Sequence, residues 1–168
     1  TFGIHPERIG MYGGSYGGFI TLDLATKSNL FKCAVDMYGI SNITNYFGAG
    51  TWGYWYGEVA APGCFPWTRK DIFVEKSPIF SADKITTPLL ILHGASDNNV
   101  PPNESDQMFV ALKLLGKDAV YAKFDDETHN INTKYKNLIE HRQMMLEWFD
   151  KYLKDQPGAW EARLEAEK

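Results

Sequence analysis

The sequence predicts an α/β protein with a parallel sheet of about four strands flanked by helices. Three observations carry that expectation. Strand-like and helix-like segments alternate along all 168 residues, the pattern of a parallel sheet with helical crossovers. The run Pro88-Leu89-Leu90-Ile91-Leu92-His93-Gly94 is apolar without alternation, as a central strand covered on both faces should be. The chain is long enough for one domain with a substantial core, and 44% of its residues are hydrophobic.

The first strand is expected at Arg8-Ile9-Gly10-Met11-Tyr12, an apolar-leaning run that stops at Gly13-Gly14. After Ser15, the positions Phe19, Ile20, Leu22 and Leu24 predict a helix reaching about Ser28. A second strand follows at Cys33–Tyr38 and ends at Gly39. Residues 41–77 sustain neither period and are expected to form an aromatic-rich insertion of loops and short helices. The clearest strand, 88–94, comes next. Pro101-Pro102 then opens a helix with Met108, Leu112 and Leu115 on its apolar face and Gly116 at its stop. Ala119–Phe124 is the fourth strand. The last helix, roughly Tyr135 to Leu153, is expected to present Leu138, Met145, Leu146, Phe149 and Leu153 on one face. Residues 1–154 thus make the domain, and 155–168 a charged tail that Pro157-Gly158 interrupts, read as a frayed helix.

Composition excludes several function classes. Seventeen Lys and Arg against 21 Asp and Glu give a net charge of −4, with no basic block to meet a nucleic acid. No window of 18 consecutive apolar residues exists, so no membrane span is expected. The segment Thr1-Phe2-Gly3-Ile4-His5-Pro6 lacks the stretches of a signal peptide. Cys33 and Cys64 make neither a disulfide framework nor a metal knuckle. No metal or organic cofactor is expected.

Gly13-Gly14-Ser15-Tyr16-Gly17 fits G-x-S-x-G and falls between a predicted strand and a predicted helix, where that motif exposes a nucleophilic serine on a strained turn. The Tyr16 N–H then lies where an oxyanion would form, at a helix N-terminus. A phosphate-binding turn is the competing reading, but no Lys follows as a P-loop requires. A serine needs a base, and the base needs a carboxylate to fix its tautomer. In hydrolases of this motif the three arrive in the order Ser, Asp, His at strand ends. Asp97 follows the strand ending at Gly94, and His129 follows the one ending at Phe124. Asp97 has a second reading as an Asx-turn residue before Val100-Pro101. Among the other histidines, His5 precedes the first strand, His93 lies within the sheet and His141 lies on a helix, so His129 is the candidate base. Asp125, Asp126 and Glu127 form an acidic run beside it, expected to be a solvated loop.

Residues 46–67 hold eight aromatics where the chain-wide 14% would give about three. Two readings fit. Rings such as Tyr54, Trp55 and Tyr56, with Val100 of the acid loop, could line an apolar substrate pocket near Ser15. Alternatively, an irregular insertion needs large side chains to build its own small core.

These segments together resemble the prolyl oligopeptidase family of serine peptidases. Arg8-Ile9-Gly10-Met11-Tyr12-Gly13-Gly14-Ser15-Tyr16-Gly17-Gly18 is similar to the family's nucleophile segment, and Phe31-Lys32-Cys33-Ala34-Val35 to the strand after it. Ser77-Pro78 and Leu92-His93-Gly94-x-x-Asp97-x-x-Val100-Pro101 resemble the acid-loop region, and Met144–Leu153 the closing helix. The resemblance runs from about residue 3 to 154 and leans towards the acylaminoacyl and dipeptidyl peptidase branches. It implies an α/β-hydrolase fold, of which the chain holds the C-terminal half, and cleavage of short peptides by Ser15, Asp97 and His129. Three departures accompany it. Asn130 stands where the family usually places Gly after its histidine. Only four of about eight strands are found, without the loop that supplies the second oxyanion donor. The β-propeller that restricts substrate size is absent. A half-sheet exposes its first strand, and self-association through the Arg8–Tyr12 edge is expected. The triad would serve a short ester as well as a peptide, and a catalytically silent fragment is the remaining alternative. The compartment stays open.

Overall fold

A computed structural model describes residues 3, 5–55 and 62–166. Four strands, β1 (Gly10–Gly14), β2 (Cys33–Met37), β3 (Leu89–Gly94) and β4 (Ala119–Phe124), form one sheet in that order. Every neighbouring pair is parallel, with Gly10 opposite Cys33, Ala34 opposite Leu89 and Leu89 opposite Ala119. Chain order and spatial order coincide, so β1 and β4 are the two edges. The parallel sheet of four strands expected from the sequence is therefore present.

The pleat sorts β3 onto two cores. Leu89 and Ile91 face a cluster with Leu22, Ala25, Ile85, Met108 and Leu112. Leu90 and Leu92 face the other side, with Val35, Phe124, Met144, Trp148 and Trp160. All six β3 residues are buried, which is why the run showed no alternation. Helices α1 (Tyr16–Lys27) and α4 (Asn103–Leu114) supply the first layer, α5 (Tyr135–Leu153) and α6 (Gly158–Ala166) the second. The 41–77 segment holds α2 (Ile43–Ala49), the single turn α3 (Gly53–Trp55) and a π-helical turn at Asp71–Glu75. No helix among the described residues is long and apolar enough to cross a membrane.

Three helical details depart from the apolar pattern. On α5 the sheet-facing stripe is His141, Met144 and Trp148. Leu146, two residues from either of the latter and so on the far side of the helix, is 64% exposed. On α4, Met108 and Leu112 are buried, whereas Leu115 lies past the helix end and is half exposed. The tail is not frayed. Gly158–Ala166 forms α6, whose Trp160 is buried edge-on against Trp148 at 4.9 Å. Arg163 of α6 bridges Glu140 and Glu147 of α5, so the tail's charges are partly spent within the chain.

Glu104, buried at the start of α4, ties the insertion to the sheet. Its carboxylate accepts hydrogen bonds from the Ser41 and Asn42 amides at 2.9 and 2.7 Å and from Asn45 Nδ2 at 2.6 Å. Ser77 Oγ accepts from the Ile43 amide at 2.8 Å and donates to the Phe73 carbonyl at 2.6 Å. Five such bonds anchor a segment with little regular structure of its own.

Asp36, in the middle of β2, has no exposure, and neither carboxyl oxygen completes a hydrogen bond. Burial pushes its pKa up to about 7; the Gly39 amide opposes this and Glu104 adds to it. A carboxyl whose folded pKa lies above its unfolded value must take up a proton on folding, so stability falls as pH rises between the two values. Asp36→Asn removes this dependence. Its stability relative to the unsubstituted chain, from urea melts, should grow by about 2–4 kcal/mol between about pH 4 and about pH 8 and then level off. A difference that stays flat across that range would show that the carboxyl titrates normally.

Candidate active site

Ser15 joins β1 to α1 with φ 59° and ψ −120°, a conformation that costs a non-glycine residue about 1–3 kcal/mol. Its amide is pinned by the Met37 carbonyl at 2.9 Å, so the end of β2 holds the turn in place. A Cβ on Gly13 would lie 2.2 Å from the Gly17 carbonyl oxygen, and one on Gly18 only 2.6 Å from Gly39 Cα. Gly17, the last residue of the motif, faces open space. The turn therefore demands Gly13, and the seating of α1 on the sheet demands Gly18, just outside the motif.

Asp97 and His129 reach the same rim from the loops after β3 and β4. His129 Nε2 lies 2.9 Å from Ser15 Oγ, and its Nδ1 lies 2.7 Å from Asp97 Oδ2. An ionised carboxylate only accepts, so Nδ1 carries the hydrogen and Nε2 is left to accept the serine hydroxyl. The Asp97 side chain is fully buried and that of His129 is 16% exposed. Asp97 Oδ1 accepts from the Asn99 and Val100 amides at 2.8 and 3.1 Å. Burial alone would push Asp97 up, but hydrogen bonds from His129 and then His93 outweigh it and hold the carboxyl well below the ordinary range. The Asx-turn contacts and the contact with His129 coexist: one oxygen serves each.

Sequence reasoning missed three supports of this relay. Tyr38, at φ 44°, packs its ring 4.7 Å from the His129 ring. His93, fully buried at the end of β3, lies 3.2 Å from Asp97 Oδ2; its place four residues before the acid was the available signal. Glu127 is no solvated acid but fully buried, a correction to the expected exposed run. Its carboxylate accepts from the Thr133 and Lys134 amides at 2.8 Å each and from Asn137 Nδ2 at 2.9 Å. These amides lie at the N-terminal end of α5, where the helix dipole favours a negative charge. Burial pushes the Glu127 pKa up, and these hydrogen bonds reverse that and leave it below the ordinary glutamate value. The Asn130 side chain is exposed, and His129 keeps both of its hydrogen bonds beside it.

Of the four expected pocket residues, the structure describes the side chains of Trp55 and Val100. Tyr56 lies outside the described residues, as does the Tyr54 side chain. Trp55 ends α3 and is 43% exposed. Val100 is 1% exposed and packs with Ile40 and Tyr46, so it belongs to a small core and braces Asp97 through its backbone; that corrects its assignment to a substrate-lining wall. Phe47, Phe65, Trp67 and Phe73 contact one another, with ring centroids 5.1–6.0 Å apart, which favours the packing reading for this part of the aromatic run. Tyr16 opens α1 directly after the serine, with its ring against Phe19. The surface hollows beside α4, below the sheet and along β4 include none of Ser15, Asp97 and His129. Among the described residues no group of three or more His, Cys, Asp and Glu could hold a metal ion.

A parallel sheet that delivers serine, acid and histidine to one rim in that chain order is the arrangement of the α/β-hydrolases. Within that class the sequence matches the prolyl oligopeptidase family over residues 2–156, and the chain belongs to this family of serine peptidases. It is 35% identical over 153 residues to the uncharacterized peptidase YuxL of Bacillus subtilis (strain 168), covering 89% of this chain and 23% of that protein. It is also 35% identical over 128 residues to dipeptidyl aminopeptidase BIII of Pseudoxanthomonas mexicana, covering 73% of this chain and 19% of that one. The acylaminoacyl peptidase of Pyrococcus horikoshii superposes with a TM-score of 0.83 at 30% identity, over 89% of this chain and 25% of that one. The chain thus spans a quarter or less of the relatives it matches.

Glu127→Gln tests the brace on the His129 loop. Removing its charge should cost about 1–3 kcal/mol of stability at neutral pH. Because a lowered carboxyl pKa stabilises above its unfolded value, the cost should fade as pH falls through the acidic range. Hydrogen exchange at the Thr133 and Lys134 amides should accelerate. Unchanged exchange at both would show that the carboxylate does not hold the loop.

Proposed function

We propose that Ser15, His129 and Asp97 carry out acyl transfer in a serine peptidase that hydrolyses short peptides. Ser15 Oγ attacks the scissile carbonyl carbon as His129 Nε2 takes the hydroxyl proton. Asp97 holds the imidazole and stabilises the imidazolium. The negative oxygen of the tetrahedral intermediate meets the Tyr16 amide at the N-terminus of α1. Collapse breaks the C–N bond, His129 returns the proton to the leaving amine, and water repeats the sequence on the acyl-enzyme. The observation that carries this reading is the unbroken hydrogen-bonded line from Ser15 through His129 to Asp97. Relatives named as acylaminoacyl and dipeptidyl peptidases support the substrate class.

Turnover by the isolated chain should be low. Tyr16 is the single oxyanion donor assigned among the described residues, and one missing donor typically costs about 10²–10³ in rate. A fluorophosphonate should still label the chain at Ser15, slowly, and Ser15→Ala should abolish the labelling. Asp97→Asn should slow it by about 10³–10⁴, since the amide favours the wrong tautomer. Labelling that persists in Ser15→Ala would assign the reaction elsewhere, and an aminoacyl naphthylamide set against a nitrophenyl ester separates peptidase from esterase.

The open edge of β1 supports a second proposal, self-association with another copy. Among the described residues β1 has β2 as its one neighbour. Tyr12 on it is 65% exposed, and Tyr16, Ile20 and Leu24 on α1 are also exposed, an edge and apolar surface of the kind that pairs. Light scattering at high micromolar concentration should report a dimer or larger species, and Tyr12→Lys should shift it towards monomer. A monomer at that concentration in the unsubstituted chain would refute the pairing.

A further inference from the structure

We infer that His93, its tautomer set by Asp97 and the Val100 carbonyl, is a positioning residue that holds Asp97 in line with His129 and tempers the charge Asp97 presents to it. The inference rests on the peptidase reading above. It starts from a second imidazole on the same carboxylate oxygen: His93 Nε2 lies 3.2 Å from Asp97 Oδ2, where His129 Nδ1 also ends, and 2.8 Å from the Val100 carbonyl. Both neighbours of Nε2 are acceptors. A bare Nε2 would face two oxygens with no hydrogen between them in a site without solvent, since both side chains are fully buried. Nε2 therefore carries a hydrogen, shared between the carbonyl and the carboxylate. On the other side of the ring, Ser105 Oγ lies 2.7 Å from Nδ1. A hydroxyl donates as readily as it accepts, so it gives its hydrogen to the bare Nδ1 of a neutral ring.

The geometry accounts for all of the carboxylate. Oδ1 takes two backbone amides and Oδ2 takes two imidazole N–H groups. With every acceptor site engaged, the group has no rotational freedom, and its plane is fixed towards His129. A second hydrogen on Oδ2 also draws off part of the negative charge that Asp97 presents to its partner ring. Around His93 stand Tyr38, with ring centroids 6.4 Å apart, Ser105 on α4 and His129 across Asp97; of the acids on the neighbouring elements, Asp36 lies on β2 and Glu104 on α4, its carboxylate bonded to Ser41, Asn42 and Asn45. Lys123 lies opposite it in register on β4, but its ammonium is engaged by Asp106 at 2.8 Å. Asp97 and the Val100 carbonyl are the contacts that decide its tautomer.

Three measurements on the whole chain test this. Long-range ¹⁵N–¹H correlation should show His93 as the Nε2–H tautomer; an Nδ1–H tautomer overturns the assignment. Next, the pH dependence of fluorophosphonate labelling is compared in the unsubstituted chain, His93→Phe and His93→Gln. Phe keeps the ring and loses both nitrogens. Its plateau rate should fall about 10-fold to 100-fold, its acid limb should move to higher pH, and the low-field His129 Nδ1–H proton resonance should shift. Gln restores a donor near Nε2 and should recover most of the plateau and the limb. A Phe variant that labels at the original rate with an unmoved limb overturns the proposal, as does a loss that Gln leaves unrepaired, which would mark a packing role alone. If Phe does not fold, the tautomer decides. If the unsubstituted chain shows no Ser15-dependent labelling, the peptidase reading falls, while the tautomer and the His129 resonance still report on His93.

Discussion

The arrangement at the sheet rim depends on one buried carboxylate. Asp97 is sealed from solvent, and its two oxygens collect hydrogen bonds from its own loop, from the end of β3 and from the loop after β4. An uncompensated charge in such a place would be costly. Here each contact that compensates it also positions something: the two amides close the loop, His93 fixes the carboxylate plane, and His129 receives its tautomer. Electrostatic satisfaction and the geometry at the rim are the same set of bonds. Without those donors the site would lose its charge before it lost its shape.

The sheet makes this convergence possible through simple chain economy. Because spatial and sequence order coincide, each loop at the carboxyl end lies beside its neighbour. The side chains needed at the rim arrive on three such loops, and the fully buried β3 sits between the cores as the common reference. The insertion at 41–77 does not disturb this frame, because Glu104 and Ser77 take up its backbone groups.

The strands and most helix bounds were legible because period and punctuation agree there. Gly13-Gly14, Gly94 and Gly116 fall at element ends, and β3 reads as apolar because it is covered on both faces. The placement of Ser15, Asp97 and His129 at strand ends was legible for the same reason. What could not be read is how polar side chains distribute between solvent and interior. Glu127 and Asp126 are neighbours in an acidic run, yet one is buried beneath the α5 amides and the other pairs with Lys134 at the surface. His93 appeared as an in-sheet residue with no stated partner, since the loop that folds back onto it is itself placed by tertiary contacts. The tail was misread because Trp160 finds Trp148 only once α5 is seated, a contact that no local pattern announces.

The acid and the base share more than their mutual hydrogen bond. Ala95 and Ser96 donate their amides to Phe124 and Glu127 at 2.9 Å each, and Gly94 approaches the Thr128 carbonyl so closely that a methyl group there would lie 2.4 Å from its oxygen. The two loops are thus welded into one rigid block. The serine stands on β1 with α1, whose Leu22 and Ala25 pack with Leu89 and Ile91 of β3, and it meets the histidine through one 2.9 Å contact. A small displacement of α1 on the sheet would lengthen the Ser15–His129 contact while leaving the Asp97–His129 bond intact, so the seating of that helix decides whether the line of three is complete.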